Sequence, residues 1–327
     1  MTELIVFGGL VLLVLVHELG HFAAAKIFGM YVEEFGIGFP PRLFSKKCGE
    51  TRYSVNVVPL GGFVKLHGEL DSTPSRSFMR EKAWKRAIVL VAGVVMNFLA
   101  GFLLFSAVLW MGVPPAVFIG EVTVGGPAEV AGLRQGDIVN GFTDPNAFMA
   151  HVKKNRGKKL SLSVTRSGII ETITIVPRVS PPKGEGALGV TLVGGGAAPA
   201  GLWDGLYGGF IMASGTSWAV ITGLIGLLSE PEAVMGPLGI FRVASGAGAV
   251  GFAYVLQLLG IISLNLAVLN LLPIPALDGG RLLFLLIEKI RRKQFSPQFE
   301  ARMQGISFLF LFLLIVGVTI KDVTAFF

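Results

Sequence analysis

Cysteine is almost missing from this chain: Cys48 is the only one in 327 residues. A single thiol cannot close an internal disulfide or build a thiolate metal cluster, so any metal site must draw on histidine and carboxylate ligands. Charge is scarce as well. Lys, Arg, Asp and Glu together make up 15% of the residues against 52% hydrophobic, and a mean hydropathy of +0.69 excludes a large water-soluble body. Met1-Thr2-Glu3 has no positive run and no small-residue cleavage site follows before residue 17, so the first apolar segment is expected to be retained. No internal repeat of about 20–50 residues is evident. The net charge of +7 would suggest a nucleic-acid partner if it were spread over a surface. Instead the basic residues gather in two loops beside apolar runs, where they set membrane orientation, and no nucleic acid is expected.

Apolar runs are what the chain has in abundance. Leu4 to Ala25, Ala87 to Val113 and Phe252 to Leu272 are each long enough to cross a bilayer, and a shorter run covers Ile306 to Ile320. The loop from Lys26 to Arg86 carries 11 Lys/Arg against 6 Asp/Glu, and Lys289, Arg291, Arg292, Lys293 and Arg302 sit between the last two runs. Both loops are therefore expected in the cytoplasm, with the N-terminus and residues 112–200 outside. A fifth apolar stretch, Trp203 to Leu228, cannot cross without moving the Lys289–Arg302 loop outside and Asp278 away from His17 and His21. An interfacial or re-entrant helix is expected there. The external region has soluble-domain punctuation in Gly125-Gly126-Pro127-Ala128-Glu129 through Gly136-Asp137. Alternation over Leu160–Thr165 and Glu171–Val176 predicts a hairpin around Ser167-Gly168.

The fold class that follows is a polytopic α-helical membrane protein of about four transmembrane helices with an inserted β-rich domain. Residues 1–111 hold the first two spans, 112–200 the external domain, 201–250 the interfacial or re-entrant segment and 251–327 the last two spans. The loop from Tyr31 to His67, with Gly36-Ile37-Gly38-Phe39-Pro40 and alternation over Thr51–Val57, predicts short strands. They could dip toward the membrane and offer an edge for strand addition, or form a solvated cytoplasmic hairpin.

Chemistry enters with His17-Glu18-Leu19-Gly20-His21 inside the first apolar run. Charged groups at a helix centre in a bilayer cost on the order of 2.5–3.5 kcal/mol each, so function is the default reason to keep them. Residues four apart share a helix face, which lets His17 and His21 close on one ion, with Glu18 about a quarter-turn away beside the open position. There Glu18 can act as general base toward a water whose pKa zinc lowers to about 7. Catalytic zinc generally takes a third protein ligand. Asp278 suits it by depth: it lies about 16 Å from the Lys289 edge by helical rise, and His17 and His21 lie about 13 and 7 Å from the Lys26 edge. Pro273 and Pro275 break the helix just ahead of it.

These residues resemble a family. His17–His21, Asn270-Leu271-Leu272-Pro273-Ile274-Pro275-Ala276-Leu277-Asp278-Gly279-Gly280, Pro59-Leu60-Gly61-Gly62-Phe63-Val64 and Met235–Ile240 together resemble the bacterial site-2 proteases, in order and over nearly the whole chain. The resemblance implies an intramembrane zinc metalloprotease of the bacterial inner membrane, with His17, His21 and Asp278 as ligands of one zinc ion and Glu18 as general base. It implies a membrane-associated β-hairpin carrying Gly61 and Gly62 toward substrate, and Asn270 against the substrate backbone. Residues 117–193 resemble a PDZ domain in the circularly permuted bacterial arrangement, with Leu188, Gly189 and Val190 in its carboxylate-binding loop. The implied partners are the lipid bilayer and membrane-anchored protein substrates, pre-cleaved by another protease, either anti-sigma factors or signal-peptide remnants. One departure is Val94, after Ala92-Gly93, where the family usually has proline. Two other readings of the residues stay open: a metal transporter, since intramembrane His and Asp also line ion paths, and a catalytically silent adaptor working through the PDZ-like domain. For Asn97 and Asn270 a hydrogen bond between helices is the alternative to a role in the site.

Overall fold

The computed structural model describes residues 2–68, 76–166, 169–182, 185–226 and 251–324. The Ser167-Gly168 turn, the Met235–Ile240 motif and the last two residues of the Trp203 to Leu228 stretch lie outside them. Among the described residues, four helices are long and apolar enough to cross a membrane: α1 (Thr2–Ile27), α2 (Ala83–Met111), α6 (Phe252–Asn270) and α8 (Pro297–Thr324). They coincide with the four apolar runs. Lipid gives helices no hydrophobic reason to associate, so close packing through small residues has to hold them. Gly20 of α1 lies so near α2 that a Cβ there would strike the Ala92 carbonyl, and a Cβ on Gly101 of α2 would stand 2.7 Å from Leu264 Cγ of α6. Val6 and Leu13 of α1 pack with Val255 and Leu259 of α6. α2 thus runs antiparallel to both.

Between α1 and α2 lies a hairpin of β1 (Val32–Cys48) and β2 (Thr51–Leu66). The expected short strands are instead two long ones that bend. β1 residues 34–37 pair on one side with residues 52–55 and on the other with 62–65, and β1 residues 42–48 pair with 51–56. The result is four short segments joined by three ladders, in the order 42–48, 51–58, 32–39, 62–66. Pro40 and Pro41 cannot donate to a ladder, which breaks β1 there. The Asn56 amide secures the bend by donating to the Gly38 carbonyl at 2.9 Å. Residues 62–66 are left as an outer edge, and that edge lies against α1.

The inserted domain follows α2 directly. Its strands β3 (Val113–Val122), β4 (Ile138–Val139), β5 (Leu160–Arg166), β6 (Ile169–Ile175) and β7 (Val190–Ala197) form an antiparallel sheet in the order β6-β5-β4-β3-β7. The predicted hairpin is present, with Leu160 opposite Ile175 and Arg166 opposite Ile169. Two short helices cover the sheet, α3 (Pro127–Val130) and α4 (Pro145–Lys154), the second capped by Asp144, whose carboxylate accepts from the Asn146 and Ala147 amides. The core is Val117, Ile119, Phe148, Val164 and Ile175 with their neighbours, each worth about 1.5–3 kcal/mol when fully buried. Asp137, from the Gly136-Asp137 punctuation, is buried and accepts from Arg166 Nε at 2.8 Å and Nη2 at 2.6 Å. Those bonds hold the Arg166 guanidinium above its ordinary pKa.

From the domain the chain enters α5 (Leu202–Gly226), which descends along α2 antiparallel to it. Gly205 faces Trp110, Gly208 faces Leu109 and Gly209 faces Ser106, while Phe210 meets the rings of Phe98 and Phe102 at 6.3 Å each. α6 also starts on the domain side, where Tyr254 lies 5.9 Å from the Phe118 ring of β3. After α6 the Pro273 and Pro275 turn leads into α7 (Asp278–Arg291).

Candidate metal centre

α1 carries His17 and His21 on one face, as their spacing requires, and the first turn of α7 brings Asp278 to them. His17 Nε2 stands 3.1 Å from His21 Nε2 and 3.1 Å from Asp278 Oδ2, and His21 Nε2 stands 3.3 Å from the same oxygen. Both histidines are 8% exposed. No other cluster of three such ligands exists among the described residues. The chemistry of this triangle is that of an ion site. His21 Nδ1 lies 2.8 Å from the Val89 carbonyl oxygen. A carbonyl only accepts, so Nδ1 carries the proton and Nε2 presents a lone pair. Asp278 Oδ2 is buried and makes no well-formed hydrogen bond, despite the two nitrogens beside it. Lone pairs converging on one point with no proton among them call for a cation. Ligands about 2.0–2.1 Å from a tetrahedral zinc stand about 3.3 Å apart, which the three edges match.

Two features place α7. Gly279 and Gly280 tuck against the turn before them: a Cβ on the first would strike the Leu271 carbonyl, and on the second the Ile274 carbonyl. At the far end of α7, buried Glu288 accepts from Arg86 Nη1 of α2 at 3.2 Å and from the Phe295 amide at 2.9 Å. Removing one partner of such a buried pair costs about 3–5 kcal/mol, so this tie holds α7 against the helix that packs on the histidines.

Glu18 lies beside the hairpin edge, where the Val64 backbone N–H faces its carboxylate. A Cβ on Gly62 would lie 3.5 Å from Glu18 Cγ, and one on Gly61 would lie 3.6 Å from Val14 Cγ1. Gly61 and Gly62 therefore sit beside the general-base candidate. Asn270 ends α6, half-buried, and shares no hydrogen bond with the three ligands among the described residues. Leu188, Gly189 and Val190 are not at the metal centre. They belong to the inserted domain, where Leu188 and Val190 line a groove of about 360 Å³ between α4 and the edge strand β7.

Sequence reasoning weighed Asn97 of α2, with a hydrogen bond between helices as the alternative to a role in the site, but missed the parts that Val89 and Gly93 play. Val89, Gly93 and Asn97 follow one another at intervals of four and form one stripe facing the two histidines. Val89 supplies the carbonyl for His21, and Gly93 supplies room, since a Cβ there would stand 2.5 Å from His21 Nε2 and 2.7 Å from His17 Cε1. Asn97 places its amide 3.4 Å from His17 Nδ1. A glycine and an asparagine four apart in a span were the available signal.

The family model described as Peptidase family M50 matches residues 5–314. The chain belongs to this family, the site-2 proteases. Among M50 relatives, a Clostridium perfringens protein whose name assigns it provisionally to the zinc metalloproteases is 34% identical over 319 residues, covering 95% of each chain. The Zinc metalloprotease RasP of Shouchella clausii is 30% identical, covering 96% of this chain and 97% of its own. The Regulator of sigma-W protease RasP of Bacillus subtilis is 27% identical, covering 98% and 97%.

Proposed function

We propose that this M50 chain is a zinc-dependent intramembrane endopeptidase that cuts membrane-anchored proteins within or near their transmembrane segments, with His17, His21 and Asp278 holding the ion and Glu18 as general base. The observation that carries this reading is the convergence of three lone-pair donors beside a carboxylate, on helices apolar enough to cross a bilayer. Zinc bound there supplies Lewis acidity, which polarises a scissile carbonyl and acidifies a water. Glu18 takes the proton from the attacking water and delivers it to the departing amine nitrogen. The Val64 N–H keeps the carboxylate aimed while it does so. A substrate helix hides its carbonyls in its own hydrogen bonds, so it must unwind before attack. The edge at Gly61 and Gly62 is where an extended segment adds as a strand beside Glu18, with Asn270 a second contact to its backbone.

The hairpin is membrane-associated in this reading, which is supported by exposed apolar residues toward its tip, Phe39, Leu43, Phe44, Val55 and Val57. α5 is taken as re-entrant: it enters from the domain side, and α6 starts from that side again. The inserted domain is taken as external and PDZ-like, supported by the α4/β7 groove and by Gly189, whose φ of +72° suits a tight loop. Its role is to bind peptide termini or screen out substrates with bulky ectodomains that another protease has not yet removed. A relative named for sigma-W regulation makes an anti-sigma factor one candidate substrate. A transporter would need several donor sets along a path, and the described residues hold one.

The test compares the wild type with Glu18→Gln in zinc content and in cleavage of a single-span substrate. Zinc should be retained while cleavage falls by about 10²–10⁴-fold, the usual contribution of general-base catalysis. Equal cleavage by both would defeat the proposal.

A further inference from the structure

We infer that Asn97 is a positioning residue for the metal centre: its side-chain carbonyl accepts the Nδ1 proton of His17 and so fixes that ring's tautomer and direction. The inference rests on the zinc reading above and extends it to a residue outside the ligand set.

The argument follows the proton. His17 presents Nε2 to His21 Nε2 and Asp278 Oδ2, both at 3.1 Å, so Nε2 is the coordinating atom. A neutral imidazole that coordinates through Nε2 carries its hydrogen on Nδ1 and needs an acceptor there. What lies 3.4 Å from His17 Nδ1 is the Asn97 amide, placed with its nitrogen toward the ring. That orientation sets donor against donor. The carbonyl end of the same amide, Oδ1, is buried without a partner, on a residue that is 0% exposed. The two ends of an amide have nearly the same shape, and the surrounding protons decide between them. Turning the amide over puts Oδ1 against the Nδ1 proton. It leaves one amide atom unpartnered as before, but removes the donor–donor contact.

The rest of α2 supports the assignment. His21 already has its acceptor in the Val89 carbonyl at 2.8 Å, two helical turns from Asn97 on the same stripe. With Asn97 serving His17, each histidine ligand has one acceptor from α2, on either side of Gly93. Ser263 Oγ of α6 donates to the Asn97 backbone carbonyl at 2.7 Å, which pins α2 at this level while leaving the side chain to the ring. Metal-binding histidines characteristically hold their second nitrogen to such an acceptor, and losing it weakens metal binding about 10–100-fold.

The experiment measures zinc affinity by competition with a chromophoric chelator, using the full chain in detergent or nanodiscs, for wild type, Asn97→Leu and Asn97→Asp. The melting midpoint of each zinc-free protein serves as a folding control. Asn97→Leu removes the acceptor at similar volume and should weaken zinc about 10–100-fold with the zinc-free midpoint unchanged. Asn97→Asp keeps an acceptor and should bind zinc as tightly as wild type or tighter. A residue that only joined helices would show the reverse order, because a buried carboxylate replaces the amide poorly in packing. Wild-type affinity in Asn97→Leu, or equal losses in both variants, would overturn the inference. Should Asn97→Leu fail to fold, Asn97→Asp alone decides by whether it keeps zinc. A wild type that binds no zinc would instead sink the zinc reading itself, so the two failures are distinguishable.

Discussion

Gly93 shows how little space the metal centre leaves. Both imidazoles lie against the bare backbone of α2 at this position, and a methyl group would stand 2.5 Å from His21 Nε2. Neither neighbour can yield: His21 is tied through Nδ1 to Val89, and His17 abuts Asn97. Gly93→Ala should therefore push the rings apart and lower zinc affinity by at least about tenfold, on the scale of a lost outer-shell contact. Gly8→Ala in α1 is the matched control, because nothing lies within 4 Å of the Cβ it would add. Equal zinc affinity in Gly93→Ala and wild type, measured by chelator competition, would refute this packing. At this scale the sequence was informative where chemistry is local. Two histidines four apart and an aspartate after a proline break declare themselves, whereas the fit of Gly93 and the partners of Asn97 depend on which face of α2 meets α1. No single span encodes that choice.

Elements place the residues, and the hairpin shows how. Alternation over Thr51–Val57 revealed strands, but the sequence did not reveal that β1 and β2 would each bend and pair twice. Register of that kind is set by Gly38, the Pro40-Pro41 break and the Asn56 amide acting together in three dimensions. The outcome matters for function because it leaves residues 62–66 as the outer edge and aims the Val64 N–H at Glu18. Gly62 permits the close approach: a Cβ there would lie 2.9 Å from Leu15 Cδ2 and 3.0 Å from the Gly36 carbonyl. Gly62→Ala should lift the edge off α1 and misalign Glu18 and substrate without touching the ligands. Zinc content is then expected to stay at the wild-type level while cleavage of a single-span substrate falls by up to about 100-fold, the penalty of a displacement near 1 Å. Zinc loss in parallel with activity would show instead that the hairpin edge supports the metal centre itself.

On the scale of the whole molecule, the helix directions bear on topology. α1 and α6 begin at the same end and run together, α5 and α6 both start at the inserted domain, and Lys26 and the 289–293 basic cluster lie at the other ends. The histidines sit nearer that basic end of α1, and α7 carries Asp278 to them from a turn rather than from the interior of a span. Sequence reasoning reached this arrangement by counting crossings and basic residues, since hydropathy and charge act at the length scale of a bilayer. It had less to say about α5, whose Gly-rich face acquires meaning only against Ser106, Leu109 and Trp110 of α2. If the basic loops face the cytoplasm, the sole cysteine becomes a topology probe. Cys48 is exposed at the turn between β1 and β2 and should resist a membrane-impermeant thiol reagent in intact cells, then react once the membrane is permeabilised. A variant with Cys48→Ser and Lys153→Cys moves the thiol to α4 of the inserted domain and should react in intact cells given access through the outer envelope. Labelling of Cys48 from outside, with protection at position 153, would invert the proposed orientation. The zinc centre would then lie nearer the outer face, and the inserted domain could no longer screen ectodomains before cleavage.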